Sequence, residues 1–167
     1  MWGAEELRQT MGELDPTRRI YRGVEVSSAD AHFVVIGLDQ LGSIRAGITA
    51  RELVARTADQ GATVILAHPL RALPRGVAPP ILENLPEGIQ AVELPWDGGA
   101  EKIRAVARDR GWALVSGSDA HSLEVVGSSF TELPVLPEDE RELAKALQDG
   151  LGVPGRMNPR SRTGRVR

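Results

Sequence analysis

Apolar residues fall into two rhythms along the chain, short dense runs and longer stripes at helical spacing. Leu7 and Met11 predict a helix over Ala4 to Leu14, which Asp15-Pro16 ends because the residue before a proline avoids the helical region. A strand is expected over Arg19 to Val26. A second follows over His32 to Leu38, where Phe33, Val34, Val35 and Ile36 suit a strand buried on both faces. Ser27-Ser28-Ala29-Asp30 between them suits a hairpin. Thr49-Ala50-Arg51-Glu52 has the form of a capping box, and Leu53, Val54, Thr57 and Ala58 continue an apolar stripe that stops at Gly61.

Three short apolar runs come next: Thr63 to Ala67, ending in His68-Pro69; Ile89 to Leu94; and Ala113 to Val115, ending in Ser116-Gly117-Ser118-Asp119. Ala100 to Arg110 reads as a helix with Ile103, Val106 and Ala107 on one side. Leu143 and Leu147 mark a last helix from Glu138 to Asp149. This alternation of strand and helix predicts an α/β fold with parallel strands, as a barrel or an open sheet.

A length of 167 residues permits one substantial core. With 41% hydrophobic and 26% charged residues, the chain lies well inside the globular class. The formal charge of -3 hides a split, because residues 154–167 carry Arg156, Arg160, Arg162, Arg165 and Arg167 and no acid. The body is therefore the more acidic part, which argues against broad binding to a phosphate backbone. Residues 1–153 are expected to form one folded unit and 154–167 an arginine-rich flexible tail, with nucleic acid as a weakly supported partner for that tail. There is no cysteine, so any metal must be held by histidine and carboxylate, and thiolate catalysis and disulfides are excluded. No export signal opens the chain, and no apolar run approaches the roughly 18 residues of a membrane span, so the expected location is cytoplasmic.

The three histidines lie at strand edges or ends: His32 opens one strand, His68 closes another, and His121 follows the loop closing a third. In parallel α/β folds the carboxyl ends of strands converge on one face, where sites are built. His68 and Asp119-Ala120-His121 would share that face and offer imidazole and carboxylate ligands suited to Zn, Mn or Fe. Each residue also has a plain structural role: Asp119 as a turn or helix cap, a histidine as a hydrogen-bonded core residue, Glu25 as a solvent-facing strand residue.

The series Gly23-Val24-Glu25-Val26, Ala31-His32-Phe33-Val34-Val35-Ile36-Gly37-Leu38, Ala67-His68-Pro69, Gly117-Ser118-Asp119-Ala120-His121-Ser122 and Val126-Gly127 resembles the later motifs of the PHP (polymerase and histidinol phosphatase) family of metal-dependent phosphoesterases. The resemblance covers roughly Ala4 to Leu133. It implies a distorted (β/α)7 barrel with divalent metals at its strand ends. Glu25 would bridge two metals, His32 and His68 would complete one ligand set, Asp119 would bind a second metal and His121 would face a third. Glu93 falls where related chains often place an acid near the site. The implied activity is hydrolysis of a phosphate ester by metal-activated water, on a phosphorylated small molecule or nucleotide.

The family's opening Asp-x-His-x-His and Thr-Asp-His strands do not occur in this sequence. The resemblance therefore implies an incomplete barrel lacking its first strands, with an open seam that needs a partner. Three explanations stay open: a polypeptide that starts further upstream, a second copy or another chain over the seam, and a non-catalytic remnant that binds metal or protein. Arg71, three residues after His68, suits phosphate binding through its planar fork and equally suits an exposed loop cation. Amidohydrolases hold metals with similar ligands at barrel strand ends, but the Gly-Ser-Asp-Ala-His-Ser run favours the phosphoesterase side. The substrate would be chosen by pocket loops, Arg71 to Pro80 and Pro95 to Gly99.

Overall fold

The computed structural model describes residue 9 and residues 20–157, apart from 41, 43, 72–79 and 97. The helix expected over Ala4 to Leu14 and most of the loop after Arg71 therefore lie outside the described residues. Five strands form the main sheet in chain order: β1 (Gly23–Ser27), β2 (His32–Ile36), β3 (Thr63–Leu66), β4 (Ala91–Glu93) and β5 (Ala113–Val115). Three helices accompany them, α1 (Ala50–Ala58), α2 (Ala100–Arg110) and α3 (Glu140–Gln148). A separate two-stranded ribbon pairs β6 (Ser129–Glu132) with β7 (Val153–Arg156).

The expected β1–β2 hairpin is present, but the expectation of parallel strands beyond it is corrected at β2–β3. β3, β4 and β5 are parallel, but β2 runs antiparallel to both β1 and β3. The first reversal is the hairpin, closed by Ser28 Oγ donating to the Ala31 carbonyl at 2.6 Å and accepting from the Asp30 and Ala31 N–H groups. The second arises because the chain travels the sheet twice between β2 and β3. Coil 37–49 first returns to the hairpin, where Gly47 N–H donates to the Ser27 carbonyl at 2.8 Å and Ala29 N–H to the Ile48 carbonyl at 2.9 Å. Only then does α1 run back. A single crossing makes neighbouring strands parallel, and two crossings invert the second one.

Thr49 caps α1 as its sequence predicts, accepting from Glu52 N–H at 3.2 Å, and Asp30 Oδ2 takes the Ala50 N–H at 2.6 Å. α1 and α2 cover one face of the sheet. Val26, Phe33, Val35, Val64, Leu66 and Val92 pack there against Leu53, Ile103 and Ala107. The opposite face carries a smaller cluster, Ile65, Ala91 and Val115, with Leu147 of α3 and the half-buried Val34, Ile36, Leu133 and Leu143. α3 is pinned to it by Thr63 Oγ1, which donates to the Ala144 carbonyl at 2.7 Å. Gly37, at φ +85°, permits this approach, since a Cβ there would lie 3.0 Å from the Ala144 methyl.

The expected tail boundary also changes, because Val153–Arg156 is a strand paired residue by residue with β6. Its Pro-Gly composition resembles a linker, yet glycine is what the packing requires: the Phe130 ring lies over Gly155, where any Cβ would clash. Residues 158–167 lie outside the described residues. Phe33, fully buried between sheet and helices, is a direct test of the larger cluster. Phe33→Ala is expected to cost about 3–5 kcal/mol in urea unfolding; a loss below about 1 kcal/mol would contradict this packing.

Candidate metal centre

The site begins with strand register. Ser27 pairs with His32 and Glu25 with Val34, so Glu25 and His32 are diagonal neighbours on one face of the β1–β2 hairpin. Because β2 runs against β3, the start of β2 lies beside the end of β3, where Ala67 N–H donates to the His32 carbonyl at 3.0 Å. His68 follows immediately. One carboxylate oxygen, Glu25 Oε1, then stands 3.1 Å from His32 Nδ1 and 3.4 Å from His68 Nε2. The two imidazoles meet edge to face, with centroids 5.0 Å apart and planes at 74°.

One ligand atom from each of Glu25, His32 and His68 fits within a mutual distance of 4.8 Å. This is the group of metal-ligating side chains that the fold assembles among the described residues. The histidine side chains are 15% and 14% exposed and the glutamate 47%, so the cluster opens to solvent on the side of the edge strand. Two nitrogens and one carboxylate oxygen form a set that accepts a divalent transition metal and leaves a coordination position free.

Asp119 and His121 are not brought into that group. Asp119 Oδ2 is held by Arg71 Nη2 at 2.7 Å, and the His121 side chain is 84% exposed with Nδ1 2.8 Å from the Asp119 carbonyl. A carbonyl can only accept, so Nδ1 is the donor in this contact. Arg71 reaches Asp119 through a turn in which its own N–H donates to the His68 carbonyl at 2.9 Å. The arginine anticipated as a phosphate contact is thus seated beside the cluster, with an acid as its present partner.

Glu93 has a firmer part than its sequence suggests. At the end of β4 its carboxylate accepts from His68 N–H at 2.7 Å and from Gly117 N–H at 3.3 Å. It therefore joins the strand ends on either side and fixes both loops that carry site residues. His68 and Asp119 are the two non-glycine residues with positive φ among those described, at 29° and 44°. Strain of that kind persists where surrounding bonds over-determine the backbone. Sequence reasoning missed Trp96, Ser116 and Thr131. Ser116 Oγ accepts from Trp96 Nε1 at 2.7 Å, and Thr131 Oγ1 both accepts from Ser116 N–H and donates to the Ser116 carbonyl at 2.8 Å. No local sequence signal marks them, because the partners are far apart in the chain.

Residues 100–151 match the family model described as PHP-associated. Over those residues the chain is similar to PHP-associated proteins. Its fold is similar to PsfC from Pseudomonas syringae PB-5123, with a TM-score of 0.64 and 23% identity over 86% of this chain and 62% of that one. It is also similar to the lesion-specific endonuclease PfuEndoQ from Pyrococcus furiosus, with a TM-score of 0.56 and 17% identity over 81% of this chain and 40% of that one. The chain thus spans less than two thirds of either structure's length, and at these identities the likeness is one of fold. No curated protein matches it in sequence. No helix among the described residues is long and apolar enough to cross a membrane.

The strain at His68 is testable apart from any chemistry. Glycine adopts positive φ without the Cβ penalty. His68→Gly is therefore expected to be more stable than His68→Ala by about 1 kcal/mol in denaturant unfolding; the opposite order would contradict a left-handed backbone there.

Proposed function

We propose that this chain contributes the metal-binding face of a PHP-type phosphoesterase, in which Glu25, His32 and His68 hold a divalent metal and a phosphate ester is hydrolysed beside it. The observation that carries this reading is one carboxylate oxygen within 3.4 Å of two imidazole nitrogens at the strand ends of a PHP-like fold. The donor set and its spacing fit the group. Manganese, zinc and iron all accept imidazole and carboxylate, and availability selects among them.

A divalent metal held by Glu25, His32 and His68 would supply Lewis-acid polarisation of a phosphoryl oxygen and would lower the pKa of water so that hydroxide is available at neutral pH. The chain's own groups do the rest. Glu25 would share the ion with both imidazoles, and Glu93 fixes the backbone of His68 so that its ring is already in position. Arg71, steadied by Asp119, presents its remaining N–H donors to a phosphate oxygen. Asp119 and His121 are assigned to further ions, as the resemblance implies. Arg71 and a second ion would then compete for one carboxylate.

On this reading the sheet is most of a distorted barrel. Its inner face bears an apolar groove of about 290 Å³ lined by Val34, Ile36, Ile65, Val115, Leu133 and Leu147. β1 stands at the sheet edge, with Glu25 on it. Further strands or a second copy over that edge would close the barrel and shield the metal. The position of Glu25 on a strand that is an edge among the described residues favours a second reading, a metal-binding module without turnover.

The test is metal content by elemental analysis, with phosphate release from an aryl phosphate in manganese, for the wild-type chain and a His68→Ala, Asp119→Ala double variant. Bound metal and turnover that falls to background in the variant are expected. Bound metal without turnover would favour the binding module, and absence of metal would overturn both readings.

A further inference from the structure

One arginine beside the metal-ligand group has no part in the chemistry above. Arg156, at the end of β7, lines the same cavity of about 350 Å³ as His68, Arg71, Trp96 and Asp119. Its backbone is fixed on both sides: Arg156 pairs with Ser129 across the ribbon, and the next residue, Met157, donates its N–H to the Ser128 carbonyl at 2.9 Å. The ribbon is in turn tied to β5 through Thr131 and Ser116, and Ser116 holds the Trp96 indole. Arg156 Nη1 closes this circuit by donating to the Trp96 carbonyl at 3.4 Å. The guanidinium is thus delivered by a paired strand.

Charge distinguishes the two arginines of the cavity. Arg71 is matched by Asp119 at 2.7 Å. Among the described ion pairs none includes Arg156, whose hydrogen bond goes to a neutral carbonyl. A guanidinium has five N–H donors in a fork that fits two oxygens of a phosphate, so most of its donor capacity remains for a ligand. Leu70, Pro95 and Trp96 also line this cavity and offer an apolar wall for the organic part of a small molecule.

We propose that Arg156 anchors a second phosphate subsite, so that the substrate is a small organic compound with two phosphate groups, one hydrolysed at the metal and one held by Arg156. The acidic balance of the chain disfavours an extended nucleic-acid strand as the source of that second phosphate. The proposal rests on the phosphoesterase reading for the first phosphate, but the anion site is independent of metal.

The test uses the metal-free full chain and inorganic phosphate as probe, followed by NMR of the Trp96 indole N–H and the arginine Nε–H signals. Saturable shifts at Trp96 and Arg156 are expected, weakened about tenfold or more in Arg156→Gln and only partly in Arg156→Lys, which keeps charge but loses the fork. Arg104→Gln, which removes an exposed guanidinium from α2, serves as the charge control and is expected to leave the titration unchanged. Unshifted Phe130 and Thr131 amide signals in Arg156→Gln before phosphate is added show that the ribbon has folded. With manganese restored, the preference in kcat/KM for fructose 1,6-bisphosphate over fructose 6-phosphate should fall to near unity in Arg156→Gln. Phosphate shifts unaffected by Arg156→Gln would overturn the subsite. Shifts lost in Arg156→Gln, in a chain that never turns over, would uphold it and count against the phosphoesterase reading alone.

Discussion

The direction of β2 is the constraint from which the rest follows. Two traverses between β2 and β3, one in coil 37–49 and one in α1, leave β2 antiparallel to a sheet that is otherwise parallel from β3 onward. That inversion puts the beginning of β2 beside the end of β3. His32 and His68 are brought to the same end of the sheet by it, and the hairpin then lays Glu25 diagonally across from His32. A single crossing would have separated the two imidazoles by the length of a strand.

Geometry at the strand ends is held by polar groups, whereas the apolar clusters hold the sheet itself. Glu93 takes N–H groups from the residues that follow β3 and β5, and the left-handed backbone at His68 and Asp119 is retained against its cost by such bonds. Trp96, Ser116 and Thr131 extend the same network to the β6–β7 ribbon. Site residues are thereby fixed by neighbours that are themselves hydrogen-bonded, which is how a loop site gains the precision of a sheet.

What the sequence made legible was local. The Thr49 cap, the buried composition of β2 and β3, and histidines at strand ends all follow from short-range chemistry. The trio Glu25, His32 and His68 came from the family resemblance instead, and the fold brings one ligand atom of each within 4.8 Å of the others. The strand reversal was hidden because coil 37–49 has no periodic pattern, and only its contacts with the hairpin reveal its course. Val153–Arg156 read as the start of a tail because Pro154 and Gly155 are poor strand formers; the cross-strand partner and the ring of Phe130 override that local preference. Pairing of Arg71 with Asp119, 48 residues apart, was equally invisible, since no spacing rule connects the turn after β3 with the loop after β5.

The central claim is that Glu25, His32 and His68 are ligands to one ion. Anomalous diffraction at the manganese edge, from crystals of the full chain grown with manganese, tests it most directly. The account predicts a peak among the three side chains, about 2.0–2.2 Å from two imidazole nitrogens and a carboxylate oxygen. A peak elsewhere with this cluster empty, or no peak at all, would contradict it.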